Sequence, residues 1–444
     1  MSMRRRATAI GAATLTALLL AGCTADSPAA APTPAPSGLG RSALRVPDAL
    51  DGAPFDASRT VDAPRGWTVS VWARVDGARL AAWTPDGRLL VSRPESGDVQ
   101  VLTPGSDPQA VPRTTTLVSG LNRPHGMAFR GDTLYVAESD RVSAYDYADG
   151  AVSGRRTVVA GLPDASTPEL RGAYAHALKS VAVGTDGALY VSVGSTGNAS
   201  AEDRSASPER ASILRVQGGR TTVFARGVRN GTGLAIAPDG AVWTAVNNRD
   251  RIAYPYDRAY DGSGGSDLGA VLQPYVNDHP LEPVAKLTAG RDLGWPYCNP
   301  DPDVDPGAAG TAFAFTNRGF VRDRETNADG SRLDCDALPR VEQGLPAHSA
   351  PLGMSFVGAG VVPAGPGALV GVHGSWNRTP PRAPEVAFLP WRDGTLQPAQ
   401  PLLTGFQAAD GNRWGRPVAA VAGPDRAVYV TDDEAGAVYR MAPS

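Results

Sequence analysis

Four of the five histidines stand beside short apolar runs: His125 in Arg-Pro-His-Gly, His176 in Tyr-Ala-His-Ala, His348 in Ala-His-Ser-Ala and His373 in His-Gly-Ser-Trp-Asn-Arg. Each is read as lying where a strand begins a repeated unit, which would bring all four to one face of the molecule. Arginines occupy similar places: Arg229 with Asn230, Arg378, and Arg416 in Trp-Gly-Arg-Pro. Imidazole, with a reference pKa of about 6.5, is suited to taking up a hydroxyl proton. A fixed guanidinium beside it stabilises negative charge as it develops. Histidines and arginines crowded into a narrow space repel one another unless an anion joins them, so the grouping points to an anionic small molecule in the site. Glu138 and Asp250 are available acids and are read as exposed turn residues. Gly194-Ser195-Thr196-Gly197 is read as a turn. The run 301–305, interrupted by prolines, is read as a solvated loop rather than a calcium site, and no metal ligand is assigned.

Other chemistries lack their motifs. The chain has no Gly-rich phosphate loop, no His-Glu-x-x-His and no Gly-x-Ser-x-Gly elbow, so nicotinamide chemistry and serine hydrolysis have no support. Among 444 residues the formal net charge is -3 and 20% are charged. That balance leaves no basic face for nucleic acid.

The elements that must position these residues repeat. Asp-Gly or a close equivalent leads into an alternating apolar strand, and a second strand returns after a polar turn. The turns stand at Thr84-Pro85-Asp86-Gly87, Gly131-Asp132, Thr185-Asp186-Gly187, Pro238-Asp239-Gly240, Gly365-Pro366-Gly367 and Pro424-Asp425. Glycine supplies the positive φ such a turn needs, and 51 Gly with 39 Pro suit many short strands better than helices. Three or four strands every 45–55 residues is about the size of a propeller blade. The expectation is an all-β, six-bladed β-propeller over 60–443, with a loop-rich insertion at about 249–347. Residues 67–73 would close the ring beside 438–441. Trp295-Pro296-Tyr297 is expected to pack the insertion against the ring.

The N-terminus reads as a targeting device. Arg4, Arg5 and Arg6 precede an apolar stretch over 7–20, too short for a comfortable membrane span, and the segment closes on Leu20-Ala21-Gly22-Cys23. This resembles a bacterial lipobox, implying a signal peptide over 1–22, lipidation of Cys23 and attachment to the outer face of the membrane. An Ala/Pro/Ser-rich tether is expected to fill 23–50. With Cys23 lipidated, Cys298 and Cys335 remain in an oxidising compartment and are expected to pair, contributing roughly 2–4 kcal/mol.

The same residues carry a family resemblance. His176 followed by Ser180-Val181-Ala182-Val183-Gly184-Thr185-Asp186-Gly187-Ala188-Leu189-Tyr190-Val191-Ser192-Val193-Gly194-Ser195 resembles the signature of the soluble PQQ-dependent glucose/sorbosone dehydrogenases. So do Ala225-Arg226-Gly227-Val228-Arg229-Asn230, Leu293-Gly294-Trp295-Pro296 and Gly415-Arg416-Pro417, and the stretches at His348 and His373 are similar to the sorbosone or pyranose branch. The resemblance implies PQQ and Ca²⁺ as cofactors and oxidation of a sugar or sugar aldehyde. His176 would be the base, Arg229 would lie beside the reacting quinone oxygen, and Asn230, Arg378, Arg416, His125 and His373 would hold the cofactor. Electrons would pass to a membrane quinone or a cytochrome. The residue before the base is Ala175, where glucose-oxidising members carry an acid, so the sugar stays open. Two further readings stand beside this one: a non-catalytic ligand-binding propeller, and a calcium-dependent lactonase-type hydrolase needing channel carboxylates.

Overall fold

The computed structural model describes residues 38–444. The signal peptide, the Cys23 lipidation site and most of the tether lie outside the described residues. Six antiparallel sheets follow one another along the chain as the six blades of a propeller. In the first, Ala81–Trp83, Leu89–Arg93, Asp98–Thr103 and Arg113–Ser119 pair in chain order. The second, third and fifth begin at Met127, Val181 and Pro351 and repeat that order. The sixth takes three strands from the C-terminus and its fourth from Trp67–Arg74, which pairs with Ala437–Pro443. This is the expected ring closure, and it leaves no free edge between the ends of the chain.

Alternation along each strand builds the core between blades. On the second strand of the first blade, Leu89 and Val91 join Trp72 and Tyr429 of the sixth, while Leu90 between them joins Leu134, Val136 and Tyr145 of the second. Successive side chains of a strand point to opposite faces, so one short apolar run serves two neighbours. Each such large apolar side chain contributes roughly 2 kcal/mol by burial. The repeated turns also have a common cause. The main-chain N–H two residues on donates to the carboxylate of Asp186, Asp239 and Asp425 at 3.0, 3.0 and 3.2 Å, the Asx-turn chemistry of short acidic side chains. Gly187 and Gly240 follow at φ 77° and 84°, whereas the sixth blade places Arg426 there at φ 62°.

Two boundaries differ from the sequence reading. The stretch 249–347 is not one insertion between blades. Glu282–Leu287 and Val341–Leu345 inside it are the third and fourth strands of the fourth blade, beside Gly233–Ile236 and Val242–Ala245. The blade is interrupted by two excursions, 246–281 and 288–340, and their length hides its strands from a search for regular spacing. The tether also ends early. Leu39–Ala43 pairs with Thr60–Pro64, and Leu44, Leu50 and Phe55 join the core of the fifth and sixth blades. Burial of these apolar side chains holds a stretch whose composition reads as linker.

Cys298 and Cys335 form the expected disulfide, bridging within the second excursion, and both lie in the core between the third and fourth blades. Among the described residues no helix is long and apolar enough to cross a membrane.

Candidate active site

In each blade the first strand runs away from one face of the ring and the second returns to it. Residues just before a first strand and just after a second strand therefore meet on that face. Arg79, His125 and Lys179 stand two residues before the first strands of blades one to three. Glu95, Glu138, Ser195, Asn247, His373 and Asp433 stand one or two residues after the second strands of all six. His373 thus follows its strand rather than preceding it, yet reaches the same face.

One group gathers around His176. Its Nδ1 lies 2.8 Å from Ser195 Oγ and 3.2 Å from the Ser195 carbonyl, and Ser195 Oγ itself donates to the Gly197 carbonyl at 2.7 Å. The hydroxyl proton is thus committed, so Oγ accepts from Nδ1–H, and Nε2 keeps its lone pair free of any protein partner. The stretch read as a turn is what presents this serine. A Cβ on Gly194 would come within 2.5 Å of the His176 carbonyl oxygen, so only glycine lets the two loops touch. Beneath them, fully buried Lys179 donates to the carbonyls of Pro163 and Ala177, and burial brings its ammonium down to about 7.

Arg229 is the cation of this group. Its guanidinium reaches Asn198 Oδ1 at 3.1 Å, the Asn247 carbonyl at 3.2 Å and Asp250 at 3.3 Å. Burial, and then the charge of Arg229, pushes His176 down to about 3, so the imidazole is neutral wherever the protein works. Asp250 also pairs with His348 Nδ1 at 3.1 Å, while His348 Nε2 donates to the Val276 carbonyl at 2.6 Å. Burial opposes charge on His348, but these two hydrogen bonds and nearby Glu282 raise it above the usual histidine range. Burial lifts Glu282 to about 7. Asp250 is thus no exposed turn acid: it links Arg229 to His348. Glu138 is not exposed either, and it is structural, bound by Ser143, Arg155 and the Asn122 N–H. Trp295, buried as expected, donates its indole N–H to the Asn198 carbonyl at 3.0 Å.

A second group surrounds Arg416. A cavity of about 440 Å³ is lined by Arg79, Arg123, Arg416, Glu95, Asp433 and Glu434, with Leu178 at its wall two residues from His176. Arg79 pairs with Asp433 at 2.6 Å and Arg123 with Glu95 at 2.7 Å. Among the described residues the Arg416 side chain bonds only the carbonyls of His373 and Gly374. His373 Nε2 donates to Asp433 at 2.8 Å, and burial, partly offset by that bond, holds it at about 4. His125 is fully buried beside Arg79 and Arg123, and its Nε2 has no partner.

Arg378 stands apart. It bonds the Asn277 and Pro380 carbonyls and Asp278, tying its loop to the first excursion. Asn230 is buried, and its carbonyl accepts from the Asn247 N–H. The group thus contains Asn198, Asn247, Glu282, Lys179 and Asp433, which motif reading missed. Lys179, Asn247, Glu282 and Asp433 share a position at strand ends, the signal that would have found them, whereas Asn198 lies in the loop after Leu189–Val193.

A family model described as TrAA12-like matches residues 61–443. The chain belongs to that family. The resemblance to PQQ-dependent sugar dehydrogenases is borne out at the level of family and fold. The pyranose dehydrogenase PQQ domain from Coprinopsis cinerea superposes with a TM-score of 0.69 at 20% identity, over 86% of this chain and 97% of that one. A calcium structure of the Trichoderma reesei family AA12 enzyme gives 0.69 at 20% identity, over 86% and 96%. The PQQ-bound aldose sugar dehydrogenase from Streptomyces coelicolor gives 0.51 at 15%, over 86% and 100%. Among curated proteins, an uncharacterised one from Borreliella burgdorferi is 33% identical over 101 residues, which is 22% of this TrAA12-like chain and 27% of that protein.

Proposed function

We propose that this protein is a PQQ-dependent dehydrogenase that oxidises a sugar or sugar aldehyde, with His176 as the base. The observation that carries the reading is the committed Nδ1 of His176 beside Ser195, with an unpartnered Nε2 in the field of Arg229. Family membership over 61–443 supports the reaction class.

The residues present fit the cofactor. A cavity of about 440 Å³ lies in the range of small-molecule sites. Arg416, whose side chain bonds only carbonyls among the described residues, and the buried, unpartnered Nε of Arg79 suit an anion bearing several carboxylates. Bound there, PQQ supplies the quinone that accepts a hydride from the substrate carbon. Calcium takes six to eight oxygen ligands; Asp250 is spent on Arg229 and His348 and Glu282 accepts from the Asn248 N–H, so these carboxylates form no ready calcium set.

The protein's own part follows from its geometry. His176 Nε2 takes the substrate hydroxyl proton as the C–H bond gives up its hydride. Ser195 holds the imidazole in the one tautomer that can do so. Arg229, immobilised by Asn198, Asn247 and Asp250, offers a fixed positive charge where negative charge grows. The proton leaves with imidazolium formation, which Asp250 moderates through space. Attachment of the chain through Cys23 at the outer membrane face, and transfer of electrons to a quinone or cytochrome, belong to the same proposal and rest on the N-terminal sequence. The test is reconstitution of purified apoprotein with PQQ and Ca²⁺, followed by dye reduction with aldoses and sorbosone. Absence of PQQ binding by absorbance or calorimetry would sink the reading.

A further inference from the structure

A buried cluster outside the candidate active site joins the two excursions of the fourth blade. His279 ends the first, and Asp301 and Asp303 lie early in the second. All three are buried, and one ligand atom from each falls within 4.8 Å of the others. Asp301 and Asp303 are therefore not the solvated loop acids their prolines implied, whereas Val304 and Asp305 are exposed. His279 Nδ1 lies 2.8 Å from the Tyr275 carbonyl, which can only accept, so Nδ1 carries a proton. In the neutral ring the Nε2 lone pair then faces Asp303 Oδ1 at 2.8 Å and Asp301 Oδ1 at 3.7 Å. A proton on Nε2 or a metal cation between the three groups relieves that opposition. An imidazole oriented by a backbone carbonyl on its far nitrogen is the usual arrangement of a metal-binding histidine.

A second observation points the same way. The Tyr275 hydroxyl is fully buried, has no hydrogen-bond partner, and the carboxylates that bear on it are Asp301 and Asp303. The Tyr275 ring stacks on His279 with centroids 3.8 Å apart. The remaining carboxylate oxygens are already occupied: Tyr256 donates to Asp301 Oδ2 at 2.6 Å and the Gly307 N–H to Asp303 Oδ2 at 3.0 Å. Arg318, the nearby guanidinium, bonds the main-chain carbonyls of Asp301 and Asp303 rather than their carboxylates, and Asp301 Oδ1 also accepts from the Asp303 N–H at 3.1 Å.

We propose that His279, Asp301 and Asp303 form a structural site for a borderline divalent cation of the zinc class, covered on one side by the Tyr275 ring stacked on His279. One nitrogen and two carboxylate oxygens in a closed pocket suit four-coordinate zinc, whereas calcium needs more oxygens. The site clips the two excursions together. It also bears on the active site at one remove, because the helix Gln273–Val276 that carries Tyr275 supplies the carbonyl bound by His348.

The proposal does not depend on PQQ, and its test uses none. Full-length protein is dialysed against chelator, then titrated with Zn²⁺ by calorimetry and with Co²⁺ by visible absorbance, with Ca²⁺ as competitor. One equivalent of Zn²⁺ is expected to bind and raise the Tm by a few degrees, as binding to the native state alone must. Co²⁺ should show absorbance bands of a nitrogen-containing site, and excess Ca²⁺ should not displace it. Asp303→Asn and His279→Gln should weaken Zn²⁺ by at least about tenfold. A wild-type Tm indifferent to chelator and Zn²⁺ would mean that a proton bridges His279 and Asp303, and the proposal falls. It also falls if Asp303→Asn binds Zn²⁺ as tightly as wild type. The chelator cycle needs no variant, so a misfolded substitution leaves the test intact.

Discussion

His176 and His373 are both largely enclosed on the same face of the ring, and both stay neutral far below the ordinary histidine range. Their hydrogen bonds differ in one respect. His176 spends Nδ1 on a serine hydroxyl and keeps Nε2 open. His373 spends Nε2 on Asp433, which Arg79 also holds. Each partner takes the ring's one proton and so fixes its tautomer, which leaves Nε2 open in His176 and Nδ1 open in His373. What separates them is the neighbour: His176 lies in the field of Arg229, whereas the His373 carbonyl holds Arg416 at the edge of its cavity. Burial depresses both rings, so a depressed pKa by itself does not say which does chemistry.

The comparison can be broken by substitution. His176→Ala is expected to lower kcat by about 10²–10⁴-fold, the usual worth of a positioned base, while PQQ titration stays near wild type. His373→Ala should do the reverse, weakening PQQ with a smaller loss of kcat at saturating cofactor. An interchange of these two patterns would reassign the base. Arg416→Gln is expected to weaken PQQ by about 10–100-fold, the worth of a charge-assisted hydrogen bond, with kcat little changed; equal losses in both would move Arg416 to the reacting atoms.

A pH series sharpens the contrast through stability. Between pH 6.5 and about 4 the unfolded chain takes up a proton that folded His373 refuses. Its contribution is thus fully present above pH 6.5 and is lost as pH falls, by up to about 3 kcal/mol. His373→Gln should flatten the denaturant-midpoint profile over that window; an unchanged slope would show that folded His373 takes up its proton as readily as the unfolded chain. The smallest effect is expected from Ser195→Ala, roughly tenfold in kcat, since the Ser195 carbonyl at 3.2 Å still accepts from Nδ1. Loss as large as that of His176→Ala would give the serine a direct part.

Much of the ring was legible because its signals are local. Asp-Gly turns and alternating strands are set within a few residues, and the pairing of 67–74 with the C-terminus followed from counting blades. The fourth blade was not legible, since its third and fourth strands lie 37 and 96 residues after the second strand ends. The candidate site was half legible. His176 and Arg229 carry motif context, but Asn198, Asn247 and Asp250 are ordinary loop residues until folding brings them to one guanidinium. Asp301 and Asp303 were misread because proline between acids suggests solvent, and only burial against His279 shows otherwise.

By itself the sequence determined the blade number, the disulfide and the residue types on the working face, because strand period, turn chemistry and cysteine count act at short range or by elimination. Only the tertiary structure decided which nitrogen of each histidine is open, which arginine lacks a carboxylate, and which acids are buried. Those properties depend on partners tens to hundreds of residues away, brought within hydrogen-bond distance by the closing of the ring.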